Sequence, residues 1–132
     1  MKFIRNNILS ILMALAIITA SFINPSELGK IKLLKVHGAD KIIHALMYFS
    51  FTFTMFYENR RKLFRKRNYF YLGLIPVIFG LIIEVLQPLV TKTRSGEIYD
   101  ELFNLAGIFL AMLSWYLIMS PEKNSKNNVF RT

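Results

Sequence analysis

"FGLIIEVLQPLV", residues 79–90, sets Glu84 and Gln87 inside an otherwise apolar run. A carboxylate at the centre of a bilayer-spanning helix costs on the order of 2.5 to 3.5 kcal/mol and less toward the ends, so it normally faces a helix-lined interior and has a partner there. The apolar run extends over 69–90, long enough to cross a bilayer as a helix. Three more apolar blocks, 8–23, 42–57 and 102–119, are separated by short polar stretches. Four such blocks, a hydrophobic share of 54% and a mean hydropathy of +0.39 predict an all-α fold, a four-helix transmembrane bundle. One unit is expected: a membrane domain over 1–120 and a polar tail over 121–132.

The formal charge of +9 is unevenly placed. Six of the 17 Lys and Arg lie in "ENRRKLFRKRNYF", between the second and third blocks. Clustered cations attract phosphates, yet beside apolar spans they are the residues that hold the cytoplasmic side of a membrane. The lipid bilayer is therefore the expected partner, and nucleic acid is not. Eleven Lys and Arg fall on the side of the termini and the second loop, against six in the first and third loops. The positive-inside rule then predicts both termini and the tail in the cytoplasm. With no cysteine, a disulfide framework, a thiolate metal site and a cysteine nucleophile are all excluded.

Lys2 and Arg5 ahead of the first block resemble the start of a signal peptide. No clear small-x-small cleavage site follows the block; the best pair, Ile18 and Ala20 within it, is a poor one, and an uncleaved span is expected. The connector "NPSELGKIKLLKVHGADK" suggests a surface-lying portion over 31–36. The tail "PEKNSKNNVFRT" lacks apolar periodicity, and disorder is expected there. Pro76 falls within the third span, where membrane helices tolerate a kink.

With this topology the unusual polar residues gather at one depth. Asp40, Lys41 and His44 stand at the outer start of the second span, with Asp40 and His44 on one face. Glu84 lies 15 residues past Tyr69, about 22 Å of helical rise, so Glu84 and Gln87 reach the outer part of the third. Arg94, Glu97 and Asp100 follow in the third loop, and Asn104 lies one turn beyond Asp100. Gly73, Val77, Gly80, Glu84 and Gln87 share a face, and Gly107 with Ala111 forms a small-residue pair suited to close helix approach. The inner halves of the helices read as almost purely apolar. Each polar residue also has a structural reading: an ion pair of Glu84 with Arg94, a hydrogen-bonded interfacial His44, a helix-capping Asp100, a helix-bridging Asn104.

These residues carry a resemblance to the VanZ-like family of small bacterial membrane proteins. The matching pieces are "ADKIIHALMYF", "IIEVLQ" and "RSGEIYDELFNLAG", in the family's order, within residues 40–111. Ala111 stands where the family often shows a second glycine. The resemblance implies a multi-pass protein of the bacterial inner or plasma membrane. The family's namesake is linked to teicoplanin resistance; the expected envelope role rests on the outward position of the polar cluster.

The leading expectation is a protein that binds an envelope lipid or glycopeptide at its outward polar cluster without catalysing a reaction. Its functional residues would be Asp40, His44, Glu84, Gln87, Arg94, Asp100 and Asn104. The alternative is an enzyme acting on a lipid-linked or glycan substrate, with Glu84 and Asp100 as acid and base, His44 as proton shuttle or metal ligand, and Arg94 holding phosphate or carboxylate. No cofactor is expected, and His44, Glu84 and Asp100 lack a diagnostic metal-ligand spacing. Ion movement is the weakest reading, because the inner halves offer few polar steps. The small-residue faces fit self-association as a homo-oligomer.

Overall fold

The computed structural model describes residues 2–23, 38–63, 65–90 and 98–119, and among these every regular element is helical. A five-residue helix α1 (Lys2–Asn6) leads into α2 (Ile8–Phe22). The longer helices are α3 (Ala39–Glu58), α4 (Lys66–Val90) and α5 (Ile98–Met119), with a 3-10 turn (Arg60–Lys62) after α3. The connector around 31–36, Arg94, Glu97 and the tail lie outside the described residues.

Both α3 and α5 begin about a turn earlier than the apolar blocks suggest. Asp40 stands in the first turn of α3 and Asp100 and Glu101 in that of α5, where carboxylates favour the exposed N–H groups and the positive end of the helix dipole. The early starts come from backbone hydrogen bonding and first-turn charge, which an apolar-block reading ignores. His44 and Asn104, expected in the membrane interface, are buried in the second turns of these helices.

The packing stripes follow helical spacing. His44, Tyr48, Thr52, Met55 and Phe56 are buried along α3; Asn104, Ile108, Ala111 and Trp115 along α5; Gly73, Pro76, Gly80, Ile83 and Gln87 along α4. Val77 and Glu84, beside that last line, are half-buried. One apolar cluster joins Ile17, Tyr48, Phe51, Ile83 and Ile108. A second, nearer the α3 C-terminus, joins Met55, Phe56 and Trp115, with Phe56 meeting Tyr69 edge-on at 5.1 Å. The Tyr69 hydroxyl donates to the Met112 carbonyl at 2.5 Å, tying the start of α4 to α5.

Helix α2 is held at both ends by side chains from other helices. The Glu58 carboxylate accepts the Leu9 and Ser10 backbone N–H groups at 2.8 and 3.0 Å and also the Ser10 hydroxyl. It therefore caps α2 from the end of α3, supplying negative charge where the α2 dipole favours it. Asn59 Nδ2 donates to Asn7 Oδ1 at 2.7 Å beside it. At the far end, buried Gln87 donates to the Ser21 carbonyl at 3.2 Å. The start of α2 and the end of α3 thus meet in a polar network at the edge of the apolar blocks, because helix termini expose backbone groups that something must satisfy.

Two helices, α4 and α5, are long and apolar enough to cross a membrane. Helix α2 is apolar but 15 residues long, about 22 Å at 1.5 Å per residue, and α3 is diluted by hydroxyl and charged side chains. The outward faces of all four are apolar, from Leu12 and Leu15 on α2 and Leu46 on α3 to Leu81 and Val85 on α4 and Phe109 and Leu110 on α5.

The most extensive contact is between α3 and α5. A Cβ on Gly107 would lie 2.1 Å from the Ala45 carbonyl oxygen, so the two backbones touch there. On Gly73 a Cβ would meet only the flexible thioether end of Met112, at 2.7 Å. Gly107→Ala should therefore cost about 1–3 kcal/mol or more, and Gly73→Ala distinctly less because methionine repacks readily. Thermal unfolding of the two variants in detergent checks this ranking, which equal losses would refute.

A buried polar line near the starts of two helices

The α3–α5 contact sets the geometry of the polar residues. His44 is one residue before Ala45, and Asn104 is one turn before Gly107. They are 4% and 2% exposed, and His44 Nδ1 lies 3.2 Å from Asn104 Oδ1. Asn104 Nδ2 donates to Glu101 Oε2 at 3.1 Å. The direction of this line follows from valence. A carboxylate only accepts, so the Asn104 amide nitrogen must face Glu101 and its oxygen must face the histidine. His44 Nδ1 is then the donor, which in a neutral ring is the Nδ1–H tautomer.

Glu101 reaches across to the other side of the assembly. A Cβ on Gly80 of α4 would lie 3.1 Å from Glu101 Oε2 and 3.4 Å from the Tyr48 hydroxyl, so glycine is what lets both groups approach α4. Glu84 is also near enough for its charge to act on Tyr48. Tyr48 is 1% and Glu101 8% exposed. Among the described residues, the Tyr48 hydroxyl and Glu101 Oε1 are buried oxygens without a hydrogen-bond partner. Together they can donate to and accept from an incoming polar group.

The expected site residues separate on this frame. His44 and Asn104 are in direct contact. Asp100 is buried in the first turn of α5, and Glu84 is half-buried on α4. Gln87 turns instead to α2, through Ser21. Asp40 is exposed one turn before His44, and Lys41 lies over the Tyr99 ring at 5.1 Å. Arg94 falls outside the described residues. Two members were missed in the sequence: Glu101, three residues before Asn104, and Tyr48, four after His44. Both follow from helical spacing once the helices are known to start early. Among the described residues, no group of three His, Asp or Glu side chains is placed to hold a metal ion.

Asn104→Leu should leave His44 Nδ1–H and Glu101 Oε2 without their partner, at a cost of about 1–3 kcal/mol. Pairing it with Glu101→Leu should recover part of that loss, since one orphaned group is removed. Thermal unfolding reads both, while side-chain 15N NMR should show the Nδ1–H tautomer in the parent protein and a loss of that preference in Asn104→Leu. An unchanged tautomer ratio would sink the assignment.

No curated protein and no solved structure matches the chain. The family profile described as VanZ/LLP1 matches residues 2–119, which take in all five helices and the whole polar line, and the chain belongs to that family.

Proposed function

We propose that the chain is a multi-pass protein of the bacterial inner or plasma membrane, with α2 to α5 crossing as a four-helix bundle and both termini in the cytoplasm. Its polar cluster then opens toward the extracytoplasmic side and binds an envelope component. Glycopeptide resistance of the teicoplanin type is one consequence such binding would have. The observation that carries this reading is the buried His44–Asn104–Glu101 line, with Tyr48 and Glu84 beside it, inside helices whose outward faces are apolar. Buried ionisable groups in such a setting are costly unless paired, and by default they mark binding, transfer or a specific contact. The lateral apolar surface supports lipid contact for α2 and α3 as well as for the two longer apolar helices.

A second reading, an enzyme acting on a lipid-linked or glycan envelope substrate, draws on the same line. The fixed tautomer of His44 would give a base at Nε2, and the carboxylates of Glu84 and Asp100 would be its partners in proton transfer. Lipid analysis of cells with and without the protein separates the two readings, because only the enzyme alters a lipid or glycan species.

Since the chain has no cysteine, single cysteines report sidedness cleanly. Ser95→Cys should be labelled in intact cells by a membrane-impermeant maleimide, and Lys62→Cys should not. The reverse pattern would place the cluster in the cytoplasm and remove direct contact with an extracellular glycopeptide. With sidedness established, expression in a glycopeptide-sensitive host should raise tolerance to teicoplanin, and Glu84→Gln should abolish the rise. Unchanged susceptibility would count against the resistance part alone.

A further inference from the structure

Charge is divided between the two ends of the helix assembly. Among the described carboxylates, Asp40, Glu84, Asp100 and Glu101 belong to the end built by the starts of α3 and α5 and the last third of α4. Glu58 lies at the opposite end, where the backbone of α2 occupies both its oxygens. That opposite end carries six exposed cations on the α3–α4 turn: Arg60, Arg61, Lys62, Arg65, Lys66 and Arg67. Arg5 on α1 adds to them, since α1 abuts the helix start that Glu58 caps.

The turn is braced rather than merely charged. Its centre is a 3-10 turn, and Asn68 Nδ2 donates to the Lys62 carbonyl at 2.9 Å. Lys62 Nζ donates to Asn59 Oδ1 at 3.2 Å, and Asn59 in turn bonds Asn7. A frame already ordered loses less conformational freedom when it takes a ligand. Exposed aromatic rings flank the cations: Tyr57 with the Arg60 guanidinium 4.7 Å from its centroid, and Phe70 and Tyr71 on the first turns of α4. Immediately along α4 the surface becomes apolar at Leu74, Ile75 and Ile78. Cations, then amphipathic rings, then an apolar face is the order of phosphate, interface and acyl chain in a leaflet.

We propose that the α3–α4 turn binds the head group of an anionic phospholipid, its cations holding the phosphate and the α4 face the acyl chains. The proposal rests on the reading that these helices cross a bilayer, and goes beyond it by naming a lipid class and a site. A nucleic acid would use the cations but leave the adjoining apolar face unexplained, which is why lipid is favoured.

The test is native mass spectrometry of the full chain released from nanodiscs holding equal phosphatidylglycerol and phosphatidylcholine. Retained lipid should be chiefly phosphatidylglycerol. The triple variant Arg61→Gln, Arg65→Gln, Arg67→Gln spares the bracing residues and should lower that retention about tenfold or more. The matching triple change to Lys keeps the charge and should preserve it. Equal retention of the two lipids would overturn the proposal, as would displacement of the lipid by millimolar inorganic phosphate, which marks a free-phosphate site. Tighter binding to a short RNA duplex than to phosphatidylglycerol vesicles would do the same. A chain absent from the membrane fraction would bring down the bilayer reading as well, whereas a membrane-bound chain without lipid preference would bring down only the site.

Discussion

The place where the α5 backbone meets that of α3 at Gly107 governs the rest of the molecule. With the Ala45 carbonyl occupying the space a Cβ would need, the two helices have one crossing point and one rotational setting. Everything along the two stripes then falls into line. One turn toward the helix starts, His44 meets Asn104; in the other direction Ala111 is fully buried, and Trp115 packs on Phe53 and Phe56. In the proposed bilayer setting there would be little hydrophobic drive between helices, so close packing at small residues and interhelical hydrogen bonds would have to supply the association. The chain uses the first at Gly107 and the second three residues earlier.

The two ends solve different problems with the same side-chain chemistry. At one end Glu58 satisfies backbone N–H groups that the start of α2 leaves open. It is a carboxylate answering the helix dipole, next to an amide pair that joins Asn59 to Asn7. At the other end Glu101 accepts from a side chain, and its second oxygen, like the Tyr48 hydroxyl, is buried without a hydrogen-bond partner among the described residues. A terminus needs its backbone groups satisfied whatever the protein does. Glu101 too answers a helix dipole from the first turn of α5, but its approach to Gly80 and its bond to Asn104 go beyond what a helix start needs, and that makes it a candidate functional carboxylate.

Much of the fold was legible because helix length and apolar periodicity are local properties. The four apolar blocks mark α2 to α5, and the shared face of Gly73, Gly80 and Gln87 is buried. Helix starts were less legible: "GEIYDE" read as polar loop, yet its Asp100 and Glu101 stand in the first turn of α5. That error hid Glu101, which an apolar-block reading assigns to a loop although it sits one turn from Asn104. The Glu58 cap was illegible for another reason. Its partners are about 50 residues away in the chain, and no periodicity within one helix reports a bond between the end of α3 and the start of α2. Gln87 shows the converse, since its spacing from Glu84 puts both on one face while its actual partner is the carbonyl of Ser21.

On the proposed binding role, the polar line also limits what a ligand could be. Its members are packed between helices, and each hydrogen bond fixes the next: Glu101 orients Asn104, and Asn104 selects the tautomer of His44. The oxygens of Tyr48 and Glu101 sit against Gly80, where a single methyl group would already crowd them. Such a site suits one small polar group, a hydroxyl or an amine that can both reach a carboxylate and meet a phenol. A large envelope molecule would therefore present one such group to the line and make its remaining contacts nearer the helix ends, where Asp40 and Asp100 stand in the first turns of α3 and α5. Recognition would then divide between a rigid buried anchor and an outer rim. A substitution in the anchor would act on whether the group is accepted at all, and one on the rim would act on which molecule carries it.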